Sequence, residues 1–505
     1  MTTTALRIMR NTAWFTFGSV GQKLFSFLHF TVIAMAIGVA GTGRYFFALT
    51  FIALFAMAAD WGISPVITRE VARNRAAGLG LFRSALRCKL VTISVTVLVI
   101  GSVVVLAGYT HDVQRAIAVA TLTMAIDSIH LVCYAVLRGI QRVHYEAIGT
   151  IVSQAMVTIL GIGTLVVLAG LRFGDSTFLS TAHPIDTVWL LAPFAVASVV
   201  NVGIAVIGLV REGVLRDLHT TVRGSWRLLI RTSTPFALTA ILARVYTYSD
   251  TFLLSLLASG LAVGYYSTPF KIAFAFQFIP LALIGALYPA MSEAAVRDRP
   301  RLGEMFTASV RALLLIAMPI AFGIAVLAYR ILVTIYGIDF APSTVPLIIL
   351  AAAVPLTFVN FPAGYLLNAI DRQSTNTVLV AIATAANITA NLLFIPRWGA
   401  TGAAAAALSA TALLTIMNVA IVHHTVRFSA HTIVDAFLRT LAACLVMSTV
   451  VLLAASLPLG IVVTLGGLAY AVAAVLVRAV RRADFALVQD ALRHRASITP
   501  ETTST

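Results

Sequence analysis

Apolar runs of about twenty residues, each closed by Gly, Pro or Arg, recur along the chain from Asn11 to Arg478. A helix rising ~1.5 Å per residue needs roughly 20 such residues to cross a hydrocarbon layer about 30 Å thick. Reading the runs against their punctuation predicts helices over 12–38, 45–68, 90–109, 116–137, 146–170, 187–210, 235–259, 265–291, 305–328, 343–368, 375–395, 399–422, 434–456 and 460–478. The pattern is that of an all-α polytopic membrane protein with about fourteen transmembrane helices. Composition agrees, since 60% of the 505 residues are hydrophobic and 11% charged, against about 25% charged in a soluble domain. The run over 12–40 is longer than a signal-peptide core and carries Lys23 in its middle, so it reads as a retained first helix.

A net charge of +16 would suggest nucleic acid in a soluble protein, but here position explains it. With the N-terminus inside, 25 basic residues fall in cytoplasmic segments, among them Arg69, Arg73, Arg75, Arg83, Arg87 and Lys89, and five outside: Arg44, Arg115, Arg172, Arg330 and Arg397. That bias predicts a multi-pass protein of the cell membrane with both termini cytoplasmic, membrane lipids as its surroundings and no nucleic-acid partner. Cys88, Cys133 and Cys444 have no ligand spacing, and no HExxH, P-loop, nucleophile elbow or dinucleotide motif occurs, so neither a catalytic site nor a metal nor a cofactor is expected.

The two halves resemble one another. An offset of 221 residues superposes Lys23 on Arg244, Gly43 on Gly264 and Tyr45 on Tyr266, and one of 230 superposes Leu137–Arg142 (LRGIQR) on Leu367–Arg372 (LNAIDR). A repeat of six helices enters the membrane twice in the same sense, so its copies are expected to be related by an axis along the membrane normal, an architecture suited to alternating access. The expected organisation is an N-terminal six-helix lobe over 1–210, a cytoplasmic amphipathic linker over 211–233, a second six-helix lobe over 234–425, two further helices over 426–482 and a cytoplasmic tail over 483–505. The linker has an apolar stripe that includes Val214, Leu218, Trp226 and Ile230 with arginines elsewhere, and should lie flat near anionic lipid.

A charge at mid-membrane costs roughly 2.5–3.5 kcal/mol, so six ionisable residues within predicted helices need a reason: Lys23, Asp60, Asp127, Arg244, Asp250 and Lys271. Lys23 and Arg244 hold equivalent positions in the two copies, and two such cations attract an anion such as phosphate, Arg by a bidentate fork and Lys as a point charge. Ser19, Ser26 and His29 near Lys23, with Tyr246, Thr247 and Tyr248 beside Arg244, add polar and aromatic character suited to sugars. The competing reading is interhelical ion pairing, since three cations and three carboxylates sum to zero. Asp60, Asp127 and Asp250 are the candidates for ion coupling or for that pairing. Gly62, Pro65, Pro269, Pro280, Pro289, Pro355 and Pro362 predict kinks.

Four segments in order resemble the polysaccharide and oligosaccharide flippases of the multidrug/oligosaccharidyl-lipid/polysaccharide exporter (MOP) superfamily: Asp60–Arg75 (DWGISPVITREVARNR), Leu137–Arg142, Ser249–Lys271 (SDTFLLSLLASGLAVGYYSTPFK) and Asn391–Ala407 (NLLFIPRWGATGAAAAA). The resemblance implies two six-helix lobes in a V-shaped arrangement like that of the superfamily's multidrug exporters, followed by two C-terminal helices. It implies a transporter that moves a polyprenyl-pyrophosphate-linked oligosaccharide from the inner to the outer leaflet. Lys23, Arg244 and Lys271 would then hold pyrophosphate, with Tyr246, Tyr248 and His29 in the sugar cavity, and a polysaccharide polymerase and glycosyltransferases would be partners.

Two alternatives stand beside it. A cation-coupled multidrug antiporter of the same fold would be expected to carry an acid in the first helix in some of its members, where this chain has Lys23. A membrane-embedded polymerase or glycosyltransferase would need a larger outer loop than 170–186, which offers only Arg172, Asp175, His183 and Asp186.

Overall fold

A computed structural model describes residues 3–168, 185–220 and 225–479, and side chains from residue 20 onward and at Gly18, apart from 218–220. The outer loop with Arg172, Asp175 and His183, and the expected tail over 483–505, lie outside the described residues, as does the side chain of Ser19.

Every regular element among the described residues is helical, as a chain in hydrocarbon requires, because each backbone N–H must find its acceptor within its own segment. Among the described residues, twelve stretches are long and apolar enough to cross a membrane. Two of them cross twice. Helix α1 (Thr3–Asp60) is broken at Gly38 (φ 65°, ψ −173°), and helix α13 (Gln373–Thr425) at Gly399 (φ 52°, ψ −125°), conformations that glycine adopts without penalty. The fourteen expected crossings are therefore present, but at these two points the chain reverses with no intervening loop. Between α1 and α13 run α2 (Ile63–Arg73), α3 (Arg75–Leu106), α4 (His111–Gly139), α5 (His144–Leu168), α6 (Thr187–Arg211), α7 (Val214–Thr220), α8 (Trp226–Leu257), α9 (Gly260–Phe274), α10 (Phe278–Arg297), α11 (Arg299–Tyr336) and α12 (Thr344–Ala369). Helices α14 (Ala430–Leu453) and α15 (Leu459–Leu476) complete the order.

The chain forms two compact units, one from Ile8 to Ser267 and one from Thr268 onward. In the first, Ile63, Val66, Leu79, Phe82, Val132, Leu137 and Leu209 make a continuous core joining α2, α3, α4 and α6. In the second, Leu327 of α11 packs on Met447, Val451 and Val462 of α14 and α15. The stretch expected to be one flat linker is divided: α7 is short, and Trp226 to Ile230 form the first turns of α8, which packs on α2 and α3 within the first unit. Arg75 clamps α7 through Asp217 (2.8 Å) and the Glu212 carbonyl (3.0 Å).

Helix α3 begins at Arg75 rather than near 90, so Arg83, Arg87 and Lys89 are helical. Lys89, expected in a cytoplasmic loop, is buried, with its Nζ 2.5 Å from Asp60 Oδ1 and 2.9 Å from Ser128 Oγ. Ser64 Oγ donates to the same Asp60 oxygen at 2.7 Å. The pair sits where α1 ends in two consecutive left-handed residues, Trp61 (φ 49°) and Gly62 (φ 64°). A side chain at Gly62 would strike the backbone of α8 at Ser233 and Ala237.

The internal repeat has a backbone signature. Helices α4 and α12 end in the same left-handed turn, at Gln141 (φ 63°) and Asp371 (φ 61°). Arg142 N–H donates to the Leu137 carbonyl and Arg372 N–H to the Leu367 carbonyl, each at 2.8 Å, the six-to-one bond of a Schellman cap. Each arginine then reaches the end of a later helix, Arg142 to Glu212 (3.0 Å) and Arg372 to Thr425 Oγ1 (3.5 Å). Further into the membrane, Ser198 and Asn201 of α6 bond Asp127 and Tyr134 of α4, each at 2.6 Å. Thr415 and Asn418 of α13 bond Asn360 of α12, each at 3.0 Å.

Two stability predictions follow from these contacts. Lys89→Met leaves a buried carboxylate uncompensated and should destabilise the protein by about 3–5 kcal/mol, with much of the loss recovered by adding Asp60→Leu; thermal unfolding in detergent reads both variants. Gln141→Gly relieves a left-handed non-glycine residue and should raise the melting temperature, by up to about 1 kcal/mol of stability. Asp371→Gly should gain less, because Asp tolerates that conformation better.

Candidate functional site

Lys23 and Arg244 both lie in the first compact unit, on α1 and α8. Lys23 is exposed and Arg244 half-buried. The Arg244 guanidinium lies 5.9 Å from the ring centre of Tyr248, one turn on, a cation–π contact that orients the fork without neutralising it. Among the described residues neither cation has a carboxylate within 4.0 Å. Two like charges on apolar helices are costly without a partner that offsets them.

The carboxylates are engaged elsewhere. Asp60 belongs to Lys89, as described above. Asp127 accepts from Ser198 and has His130 Nδ1 at 3.4 Å, with its side chain still 42% exposed. Asp250 is buried and accepts a 2.9 Å hydrogen bond from Tyr266. Ion pairing thus accounts for Asp60, through a partner that the sequence placed in a loop.

His29 is buried, its Nε2 2.8 Å from Tyr45 Oη and its ring edge-on to Phe194. Gly161 packs against that ring so closely that any side chain there would overlap it. The structure therefore places His29 in helix packing and not on the exposed face that carries Lys23. Tyr246 and Tyr248 are half-buried on α8 beside Arg244. Lys271 is half-buried on α9, in the second compact unit.

An equivalence unrecognised in the sequence emerges here. The offset of 221 that aligns Lys23 with Arg244 also aligns His29 with Asp250, and the two hydrogen-bonded ties, His29–Tyr45 and Asp250–Tyr266, are the same contact in the two copies. The signal was available: Tyr45 and Tyr266 were already superposed, and each partner stands sixteen residues before its tyrosine.

Comparison with known proteins agrees with this arrangement. The chain is 23% identical over 398 residues to the probable low-salt glycan biosynthesis flippase Agl15 of Haloferax volcanii, covering 78% of each protein. Among solved structures, the lipid II flippase MurJ in an inward closed conformation superposes with a TM-score of 0.70 at 16% identity, over 91% of this chain and 98% of that one. A multidrug resistance MATE family transporter of the MOP superfamily, in an inward-facing conformation, superposes with a TM-score of 0.61 at 15% identity, over 81% and 98%. The family described as polysaccharide biosynthesis protein matches residues 8–295, more than half of the chain. The likeness to these structures shows the fold, and the chain belongs to the polysaccharide biosynthesis protein family.

Proposed function

We propose that this protein is a flippase that carries a lipid-linked oligosaccharide, joined to its lipid by a pyrophosphate, from the inner to the outer leaflet for cell-surface polysaccharide assembly. The observation that carries the reading is the pair of uncompensated cations at equivalent positions of a duplicated helix, Lys23 and Arg244. A diphosphate matches them in charge, and the Arg244 fork matches two of its oxygens. Tyr246 and Tyr248 offer ring faces to the sugars that follow. The family match and the likeness to a glycan flippase support the substrate class.

The basic residues set the orientation. Removing buried Lys89 from the cytoplasmic count leaves the bias intact, so both termini face the cytoplasm of the cell membrane. The protein acts as a transporter and not as an enzyme, and a polymerase and glycosyltransferases supply and consume its cargo. Half-exposed Asp127 is the carboxylate best placed to bind a coupling ion or proton.

A second reading, export of drugs, is favoured by the likeness to the multidrug transporter. A cationic drug would meet repulsion from Lys23 and Arg244, so the charge of the cargo separates the two. Lys23→Ala and Arg244→Ala should each lower glycolipid translocation at least about tenfold with the protein still folded in the membrane, and Lys23→Arg should retain most of it. The measurement is the appearance of the glycan at the outer leaflet. Normal translocation in both alanine variants, or extrusion of a cationic dye that depends on this protein, would overturn the flippase reading.

A further inference from the structure

The first copy closes the end of α4 with an ion pair that the second copy lacks. The offset of 230 that aligns Leu137–Arg142 with Leu367–Arg372 also aligns Arg138 with Asn368 and Glu146 with Asn376. Arg138 and Glu146 meet at 2.8 Å. Their counterparts are neutral amides, both half-buried. The same offset aligns Tyr134 with Gly364 and Ala135 with Tyr365, so the tyrosine has moved one position along the helix, which turns its ring by about 100°. Tyr134 is enclosed and bonded to Asn201 at 2.6 Å. Tyr365 is half-buried and meets Tyr288 of α10 edge-on, with ring centres 5.5 Å apart and planes at 80°. The Asn376 amide lies beside the same turn of α12, its nitrogen 3.6 Å from where a methyl group on Gly364 would stand.

These four side chains belong to the second compact unit. Among the described residues neither tyrosine hydroxyl and neither side-chain amide has a hydrogen-bond partner. Against hydrocarbon each such group would carry the full cost of lost hydration. Tyr365 stands seven residues before Arg372 and Tyr288 nine before Arg297, roughly 10 and 13 Å along their helices at ~1.5 Å per residue. That is deeper than an interfacial belt of tyrosines. The accessible face of α10 beside Tyr288 consists of Gly285, Pro289 and Glu293, whereas α14 exposes Val434, Leu438, Leu445 and Leu452 as a lipid-facing surface does. The patch therefore faces water.

We propose that Tyr288, Tyr365, Asn368 and Asn376 bind an uncharged sugar unit of the transported glycan. The inference rests on the flippase reading and adds to it a sugar class and a place for that sugar. A pyranose has an apolar C–H face, which packs on the electron-rich face of an aromatic ring. Its rim of hydroxyls pairs with the donors and acceptors that an amide side chain offers together. In the first copy the equivalent polar groups satisfy each other as an ion pair; in the second they are free for a ligand. A phosphate or an acidic sugar finds no cation among these four residues, since Arg372 is bonded to Thr425 and Arg297 to Glu293.

The test compares two lipids on the full chain purified in a detergent without sugar groups. One is the lipid-linked glycan that accumulates in cells lacking the protein, the other the corresponding polyprenyl pyrophosphate without sugars. The natural protein should bind the glycolipid at least about tenfold more tightly than the bare lipid. Tyr365→Ala should bring that ratio close to one and leave affinity for the bare lipid unaltered, and Tyr365→Phe should keep most of the preference. Asn368→Arg combined with Asn376→Glu rebuilds the ion pair of the first copy; it should hold the melting temperature and lose the preference, and it decides the matter if Tyr365→Ala does not fold. A ratio near one in the natural protein, a ratio that survives these changes, or a loss of affinity for both lipids alike overturns the sugar site. Bare lipid held through Lys23 and Arg244 with no gain from the sugars sinks this inference alone, whereas cells that accumulate no glycolipid, or a protein that binds neither lipid, sink the flippase reading beneath it.

Discussion

The constraint behind every feature of this protein is the cost of charge and of unpaired backbone in hydrocarbon. It leaves helices as the only available element and makes each intramembrane ionisable group an expense that packing or function has to offset. Asp60 and Lys89 meet it by mutual neutralisation, with Ser64 and Ser128 satisfying further bonding positions. Asp250 and His29 meet it by hydrogen bonds to tyrosines. Lys23 and Arg244 have no carboxylate within 4.0 Å among the described residues, and that difference is what makes them the pair proposed to meet the cargo.

Duplication explains where these solutions fall. The Schellman turns at Gln141 and Asp371, the arginines that follow them, the polar ladders from α6 to α4 and from α13 to α12, and the tyrosine ties near each reversal all occur twice. What is kept is the position of a polar group and the backbone geometry around it, whereas the identity of the group is free to change. His29 stands opposite Asp250. A hydrogen-bonding site buried between helices requires a partner of the right reach and polarity, and several residue types meet that requirement.

Number and type of helices were readable from the sequence because a run of some twenty apolar residues has few other uses. Boundaries were less so, for reasons that differ from place to place. Helix α3 begins fifteen residues early because Arg83, Arg87 and Lys89 resemble a loop to a hydropathy reading, whereas a helix projecting beyond the hydrocarbon carries charges freely. The reversals at Gly38 and Gly399 need a single residue each, so they leave no polar loop to mark them. At the site, Lys23 and Arg244 were legible through the offset between the copies. The bond of Asp60 to Lys89 was not, since which of several nearby basic residues turns inward is decided by packing among α1, α3 and α4 and leaves no trace in spacing.

The asymmetries between the copies then become informative. Leu281 stands where the offset would place a counterpart of Asp60, so the buried ion pair belongs to the first copy alone. The duplicated fold does not need it. It does sit at the one place where α1 ends in two left-handed residues and the chain enters α2, whose Gly62 corner abuts α8, the helix that bears Arg244. A buried pair stabilises little against an apolar replacement of similar shape, but it holds two helices in a single register because misplacement would strand a charge. Fixing α1 against α3 at that corner fixes the platform on which α8 rests, and with it the depth of Arg244.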